Sequence, residues 1–298
     1  MSVITTTAGI RRFWRRSVLE PLTVIWRNKQ AFAGFLILLF FFLMATVGPE
    51  VVPLDMTSHY AERFKPPSRA HPLGTDYAGR DVWALIVHGS RDVLFVAFLA
   101  ALFTIAIGIT IGMLAGLQGG IIDTLLMILT NAILTVPSFP VMLIIGSVLE
   151  VRNAVTFGAL LSIWAWGGLA RATRAQVLSL KEREFIEAAK VLGLSTFHII
   201  FGELLPNIMP YVTINFLTTM RGAISASVGL MLLGLIPFSS MNWGMMMNMA
   251  MTQSGAIYLP QALSYVLSPM MAIVLFQLGA VFFAHGLDEV LDPRLRAM

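Results

Sequence analysis

The chain contains no cysteine in 298 residues, and this absence excludes disulfides, thiolate metal sites and cysteine nucleophiles. Charge is also scarce: 12% of the residues are charged, 57% are hydrophobic, and the mean hydropathy is +0.80. Because soluble domains carry about 25% charged residues, this composition excludes an ordinary soluble fold. The sequence therefore predicts an integral membrane protein.

Several catalytic patterns are missing as well. No lysine follows a glycine, which excludes a phosphate-binding Gly-Lys loop. The five histidines form no His-Glu-x-x-His pattern or other metal-spaced pair, and no nucleophile lies in a recognisable pattern with a base. The chain is therefore not expected to be an enzyme by itself or to bind a metal or cofactor.

Six apolar segments are candidates for membrane spans. A helix needs roughly 20 predominantly apolar residues to cross the hydrocarbon core. The sequence therefore predicts an all-α fold of about six transmembrane helices within a membrane domain at 31–286. The spans lie near 31–47, 93–117, 124–149, 155–170, 208–236 and 265–284.

Basic residues in the tails predict the orientation, because cytoplasmic flanks carry an excess of Lys and Arg. The N-terminal tail, residues 1–30, has the single acid Glu20 against six basic residues: Arg11, Arg12, Arg15, Arg16, Arg27 and Lys29. Six crossings return the C-terminal tail, residues 287–298 with Arg294 and Arg296, to the same side. Both termini are therefore predicted to be cytoplasmic.

A polar stretch at 173–207 separates the fourth and fifth spans and is predicted to be cytoplasmic. Its apolar residues recur at helical spacing and predict one apolar helix face, made of Phe185, Ala188, Ala189 and Leu192. The charged residues Glu184, Glu187 and Lys190 fall on the other side. Gly193 is expected to end this helix in a left-handed conformation, and Ser195 is placed to cap a second short helix from Thr196.

This polar stretch resembles the EAA loop of binding-protein-dependent ABC importer permeases. The resemblance rests on Glu187, Ala188, Ala189, then Gly193, then Leu205 and Pro206. It implies the type I ABC importer transmembrane fold, in which the loop forms coupling helices that dock into a cleft of the ATPase subunit. We call residues 173–207 the coupling loop. One departure is Glu203, which occupies an apolar position of the pattern.

An amphipathic helix on the lipid headgroups is the alternative for this loop. Such a helix would have a basic polar face. The part of the loop from Lys181 to Glu203 is instead slightly acidic, since Glu182, Glu184, Glu187 and Glu203 outnumber Lys181, Arg183 and Lys190. This charge balance favours docking to a protein.

Four further stretches resemble the C-type permease subunits of dipeptide, oligopeptide and nickel importers. They occur in the expected order at 71–91, 232–235, 243–246 and 286–294. That subgroup commonly has an acidic residue shortly before the Leu-Gly-Leu pattern. This chain has no acidic residue there, because the stretch from Ser227 to Leu230 is uncharged. The resemblance implies peptides as the leading cargo, with oligosaccharides and nickel complexes as alternatives.

The segment at 48–92 is predicted to be extracytoplasmic, and we call it the outer segment. Its prolines and glycines predict turns, and its mixed charges suit salt-bridged surface structure: Asp76, Arg80, Asp81, Arg91 and Asp92. A small cap and a plain connector both remain open. In the family this side receives the loaded binding protein.

Features inside the spans predict packing and a pathway. Gly108, Gly112 and Gly116 share one helix face and predict close helix contact.

Pro137 and Pro140 are expected to kink or interrupt the third span, and broken helices often border transport pathways, although packing alone also accounts for them. Arg221 lies near mid-membrane, where it either lines the pathway or is satisfied by helix carbonyls or a partner.

A cluster of methionines lies beside the fifth span, at Met241, Met245, Met246, Met247, Met249 and Met251. Thioethers bind soft metal ions, so a metal filter is one reading. No histidine or acid accompanies the cluster, and methionine also forms adaptable apolar surfaces. A flexible apolar lip is the favoured interpretation.

Two functions from different classes remain. The resemblance implies half of the translocation pathway of an ATP-driven importer in a bacterial or archaeal cell (inner) membrane. Its partners would be a homologous second permease, one or two ATP-binding subunits that hold ATP and Mg²⁺, an extracytoplasmic substrate-binding protein and membrane lipid, with no nucleic acid. The alternative is a self-contained secondary transporter or channel, which should carry intramembrane acids and inverted repeats. Neither is found in the sequence.

Overall fold

The computed structural model describes residues 28–149, 151–234 and 239–291, and the regular elements of these ranges are helices. This confirms the all-α prediction. The principal helices are α1 Lys29–Thr46, α2 Val82–Gln118, α3 Gly120–Thr135, α4 Ser138–Val148, α5 Ala154–Leu180, α6 Glu184–Val191, α7 Leu205–Leu232, α8 Trp243–Asn248 and α9 Leu263–Leu291.

Three segments are long and apolar enough to cross a membrane: Lys29–Thr46, Val82–Gln118 and Pro260–Leu287. Helices α3 and α4 pass the same test together and are bent by 82° at their junction, as in a broken span or a re-entrant loop. Helix α5 contains the predicted fourth span and α7 contains most of the predicted fifth, but both helices are less apolar. A multi-pass membrane protein is thus confirmed, and the number six stays a prediction.

The second helix begins at Val82 rather than at the predicted Val93. Asp81 caps it, because its carboxylate accepts a hydrogen bond of 3.0 Å from the Ala84 backbone amide. Arg91 and Asp92 therefore lie within α2, and the irregular part of the outer segment ends at Asp81. The predicted end of the fifth span, Ile236, lies outside the described residues.

Most of both predicted tails lies outside the described residues. This applies to the basic residues on which the orientation rests: Arg11, Arg12, Arg15, Arg16, Arg27, Arg294 and Arg296. The predicted C-terminal tail from residue 287 begins as helix, because α9 continues to Leu291.

The chain divides into two compact units. The described part of the first contains α1 up to Phe41 and α9 from Val274. Small residues bring these two helices together: a Cβ on Gly279 would lie 2.8 Å from Cβ of Ile37, and a Cβ on Gly286 would overlap Ala31. Phe41 and Phe276 stack edge to face, with ring centroids 5.5 Å apart.

The second unit, residues 42–273, is built around the pair α2 and α5. The three predicted glycines of α2 face α5, which confirms the prediction of close packing. A Cβ on Gly112 would lie 2.5 Å from the Ala170 carbonyl oxygen, and one on Gly116 would lie 2.8 Å from Cβ of Val177. Adding a side chain at these positions would push the two helices apart.

Ion pairs and hydrogen bonds cross-link the outer segment before α2, as expected of a folded cap rather than a plain connector. Asp76 accepts hydrogen bonds from the backbone amides of Ala78 and Arg80 and pairs with the Arg80 guanidinium at 2.6 Å. Asp76 is fully buried, so its predicted surface position is wrong. The Lys65 ammonium, 2.7 Å from Glu62, lowers the pKa of that carboxyl.

Candidate coupling surface and central cavity

The inner face of α6 anchors the coupling loop to the membrane helices. Ile186 and Ala189 are buried in one apolar cluster with Met113 of α2, Val177 of α5 and Ile208 of α7. The sequence-based prediction of the apolar face is wrong in part, since only Ala189 of its four residues is buried. Ile186 was missed because the choice of inner face depends on where α2, α5 and α7 lie.

The outer face of the coupling loop is apolar and exposed. Val191 is 87% exposed, Leu192 76% and Phe197 71%, and Phe185 and Ala188 are exposed as well. Large apolar side chains that are exposed within one short segment are typical of an interaction site. The loop therefore has two faces: an inner face that is fixed to the bundle, and an outer face suited to a partner.

Gly193 makes possible the turn between α6 and the helical segment that follows from Thr196. Its φ is +72°, in the left-handed region predicted for it. The amide of Gly193 donates to the Lys190 carbonyl at 3.0 Å, and the amide of Leu194 donates to the Ala189 carbonyl at 3.1 Å. These two bonds form a Schellman motif and satisfy carbonyls at the end of α6.

Ser195 caps the following helical turn, as predicted. Its hydroxyl accepts a hydrogen bond of 3.2 Å from the His198 amide. The turn from Thr196 does not stay a separate short helix, however, because it continues through a π-helical segment, Ile199–Leu204, into α7. Pro206 lacks an amide donor and its ring crowds the preceding turn, which explains why the backbone widens into a π-helical segment before it.

Charged residues border the exposed apolar face. Glu184, Glu187 and Lys190 are all exposed on α6, whereas Glu203 is half-buried. Leu205 packs at the edge of the buried cluster, and Pro206 is exposed. The structure thus gathers the predicted coupling residues in one loop, with Ala189 and Leu205 facing inward.

A central cavity of about 350 Å³ lies between α2, α4, α5 and α7 of the second unit. Its walls include Thr104 of α2, Met142 of α4, Trp164 of α5 and Gly222 of α7. Pro137 and Pro140 flank Ser138, another wall residue, and Pro137 precedes the first residue of α4. The prediction that these prolines interrupt the third span is confirmed by the 82° bend.

Arg221 is half-buried on α7, next to Gly222 of the cavity wall. Its carbonyl accepts a hydrogen bond of 3.4 Å from the Ser225 hydroxyl. Arg221 is not itself a wall residue of the central cavity.

The predicted methionine lip is wrong for three of its six residues. Met245, Met246 and Met247 are buried on α8, a helix that Asn242 caps at its first turn, whereas Met241, Met249 and Met251 are half-buried. Trp243 anchors the same helix, since its buried indole donates a 3.2 Å hydrogen bond to the Ile86 carbonyl. Met245, Met246 and Met247 therefore fill a packed core of the second unit.

The coupling loop and most wall residues of the central cavity lie in a part of the chain that matches a family of transport proteins. Residues 108–297 match the family described as "binding-protein-dependent transport system inner membrane component". The chain belongs to this family. It is a transmembrane permease component of an ATP-driven importer.

Individual relatives agree with this assignment. The permease is 39% identical over 226 residues to the dipeptide transport system permease protein DppC of Bacillus subtilis (strain 168), covering 74% of this chain and 70% of the relative. It is 32% identical to the oligopeptide transport system permease protein OppC of the same strain, covering 74% of this chain and 72% of the relative. It is 34% identical to DppC of Alkalihalophilus pseudofirmus, covering 79% of this chain and 76% of the relative.

Proposed function

We propose that this permease is one of two membrane subunits of a peptide importer and that its coupling loop transmits ATPase motion to the membrane helices. A homologous second permease, one or two ATP-binding subunits and an extracytoplasmic binding protein complete the complex. ATP and Mg²⁺ are held by the ATP-binding subunits. The complex lies in the cell (inner) membrane, with both termini of this chain in the cytoplasm.

The two-faced coupling loop is the observation that carries this proposal. Ile186 and Ala189 fix α6 to α2, α5 and α7, while Val191 and Leu192 offer an apolar surface to a partner. A force applied to the outer face is therefore transmitted directly to three long helices. Alternating access requires such a rigid connection between the ATPase and the pathway.

Peptides are the proposed cargo because the relatives include dipeptide and oligopeptide transport permeases. The central cavity is consistent with a transport pathway, since it lies where α7 and α4, the second half of the broken pair, meet α2 and α5. Broken helices beside a cavity are a recurrent feature of transport pathways.

Val191→Glu tests the coupling role, with Val51→Glu as the matched control. Both valines are largely exposed, at 87% and 71%, but Val51 lies in the outer segment. In a reconstituted complex with the second permease, ATPase and binding protein, Val191→Glu should lower ATPase co-purification and ATP-driven peptide uptake at least about tenfold, since an unpaired charge buried at an interface costs several kcal/mol and about 1.4 kcal/mol is already tenfold. Val51→Glu should retain ATPase co-purification, because Val51 lies in the outer segment and not in the coupling loop. Equal loss of ATPase co-purification in the two variants, or no loss in either, would reject the coupling role.

A further inference from the structure

Two polar contacts join α3 to α5, and both involve arginines of α5. Arg174 pairs with the Asp123 carboxylate through two contacts of 2.5 Å. Arg171, one turn earlier in α5, donates a 2.7 Å hydrogen bond to the side-chain oxygen of Asn131. The two pairs follow in opposite order along the two helices. Helix α3 therefore lies antiparallel to α5 and is attached to it at its first turn and again near its end.

Apolar packing contributes little to this attachment. Within α3, all of which lies in the described residues, only Thr130 is buried. Large apolar residues of α3 are exposed instead, with Ile121 at 79% and Leu125 at 61%. Lipid tails are as apolar as leucine, so burial of these residues would hardly favour helix contact in a membrane, and hydrogen bonds between helices matter more. The two arginine pairs are therefore the specific contacts that set the position of α3 on α5.

Helix α5 connects these pairs to the coupling loop. Val177, one turn after Arg174, is fully buried in the apolar cluster that holds Ile186 and Ala189 of α6. Helix α5 runs without a break through all of these positions. Helix α3 in turn leads through the 82° bend into α4, which contributes two side chains to the wall of the central cavity. A continuous series of contacts thus leads from α6 through α5 and α3 to the cavity wall.

We infer that Arg171 and Arg174 are positioning residues for transport, which make the broken pair α3 and α4 move with α5 as one body when the coupling loop moves. This inference rests on the proposed coupling role of the loop. Coupling between distant sites is carried by packed side chains, hydrogen bonds and rigid helices, and α5 with its two arginine pairs supplies all three. Helices α3 and α5 should therefore keep their contact throughout the transport cycle.

A reversible disulfide between α3 and α5 tests whether the two helices move together. A Cβ on Gly167 would lie 3.1 Å from Cγ of Leu134, so Leu134→Cys with Gly167→Cys brings two thiols within bonding reach. The chain has no other cysteine that could compete. In the reconstituted complex with cysteine-free partner subunits, oxidation should form this disulfide and leave ATP-driven uptake of Ala-Ala unchanged. Each single cysteine variant controls for the oxidant. Loss of uptake on oxidation that a reductant restores would show that the helices separate, and would overturn the inference.

Weakening both pairs gives a second readout. Asp123→Asn with Asn131→Leu removes the charge of one acceptor and the oxygen of the other, while the surface of α6 stays intact. ATPase co-purification and ATP hydrolysis should persist, but the ATP hydrolysed per dipeptide taken up should rise at least about fivefold, the low end of coupling between sites. Thr124→Leu is the matched control and should keep the wild-type ratio, because the Thr124 hydroxyl donates to the Gly120 carbonyl of α3 itself.

The disulfide should also replace the lost contacts in the weakened variant. Oxidation should then restore the wild-type ratio of ATP to dipeptide, and reduction should remove the effect. Parallel loss of ATP hydrolysis and uptake, or no rescue by oxidation, would leave the arginine pairs a purely structural role and overturn the inference. Failure of the disulfide to form would contradict the close approach of α3 and α5. If uptake instead survives Val191→Glu, the proposed coupling role itself fails.

Discussion

Arg174 of α5 and Asp123 in the first turn of α3 form a two-point ion pair. Nε of Arg174 lies 2.5 Å from one carboxylate oxygen of Asp123, and a terminal guanidinium nitrogen lies 2.5 Å from the other. Asp123 follows the turn at Gly119 and Gly120, where both φ angles are positive. The pair therefore holds the start of the broken span α3–α4 against α5.

The first prediction is that this ion pair stabilises the second unit. Arg174→Gln and Asp123→Asn should each lower the thermal unfolding midpoint in detergent, because each leaves a partly buried charge unpaired. The double variant Asp123→Arg with Arg174→Asp exchanges the two charges and should recover part of the lost stability. The coupling energy between the two positions should be about 0.5–3 kcal/mol. Arg91→Gln, at an exposed position of α2, should have little effect. Additive single effects would contradict a direct interaction.

The second prediction concerns the Gly193 turn. Gly193→Val should abolish coupled transport while the protein remains inserted, because a β-branched residue resists a φ of +72°. Gly193→Asn should keep most of the activity, because asparagine tolerates the left-handed region. A Cβ at Gly193 meets nothing within 4 Å, so the difference isolates backbone conformation from crowding. Normal uptake by Gly193→Val would show that the turn is not needed for coupling.

The third prediction tests the charged rim of the same loop. Glu187→Lys reverses an exposed charge of α6 and should lower ATPase co-purification by disturbing electrostatic complementarity with the partner. Raising the salt concentration should reduce the difference from wild type, because exposed charges are screened. A salt-independent defect would instead indicate damage to the packing of α6.

Local backbone chemistry in this loop was predictable from sequence, and tertiary contact was not. The left-handed Gly193 and the Ser195 cap depend on residues next to them in the chain. Ile186 is buried because of α2, α5 and α7, and no local pattern distinguishes it from the exposed Phe185. The methionines of α8 were misread for the same reason, since Trp243 and Asn242 fix that helix within the second unit.

The sequence contains a signal for the start of α2, but the charged residues that follow it led to a later predicted start. Asp81 directly precedes a long apolar run, which is the pattern of a helix cap. The charges of Arg91 and Asp92 made the preceding residues look like loop. The structure keeps both in the helix, so charged residues alone are a poor guide to helix boundaries near a membrane surface.

The fourth prediction is that the purified permease alone neither binds nor hydrolyses ATP. The sequence lacks a Gly-Lys phosphate loop, which would supply the backbone amides and ammonium for the phosphates. Equilibrium binding of a fluorescent ATP analogue and phosphate release should both remain at background without partner subunits. ATPase activity that disappears on mutation of this chain would contradict the importer mechanism.

The fifth prediction assigns Arg221 to the pathway beside the central cavity. An arginine within a span tends to face protein or water, and its guanidinium can donate charge-assisted hydrogen bonds to a passing carboxylate. Arg221→Gln should therefore assemble normally and lower uptake of Ala-Asp about tenfold relative to Ala-Asn, consistent with 1.5–3 kcal/mol for a hydrogen bond to a charged group. Arg221→Lys keeps the positive charge and should retain part of the preference. A structural role predicts the opposite pattern, because loss of a helix or subunit contact would reduce assembly or lower the uptake of both dipeptides equally.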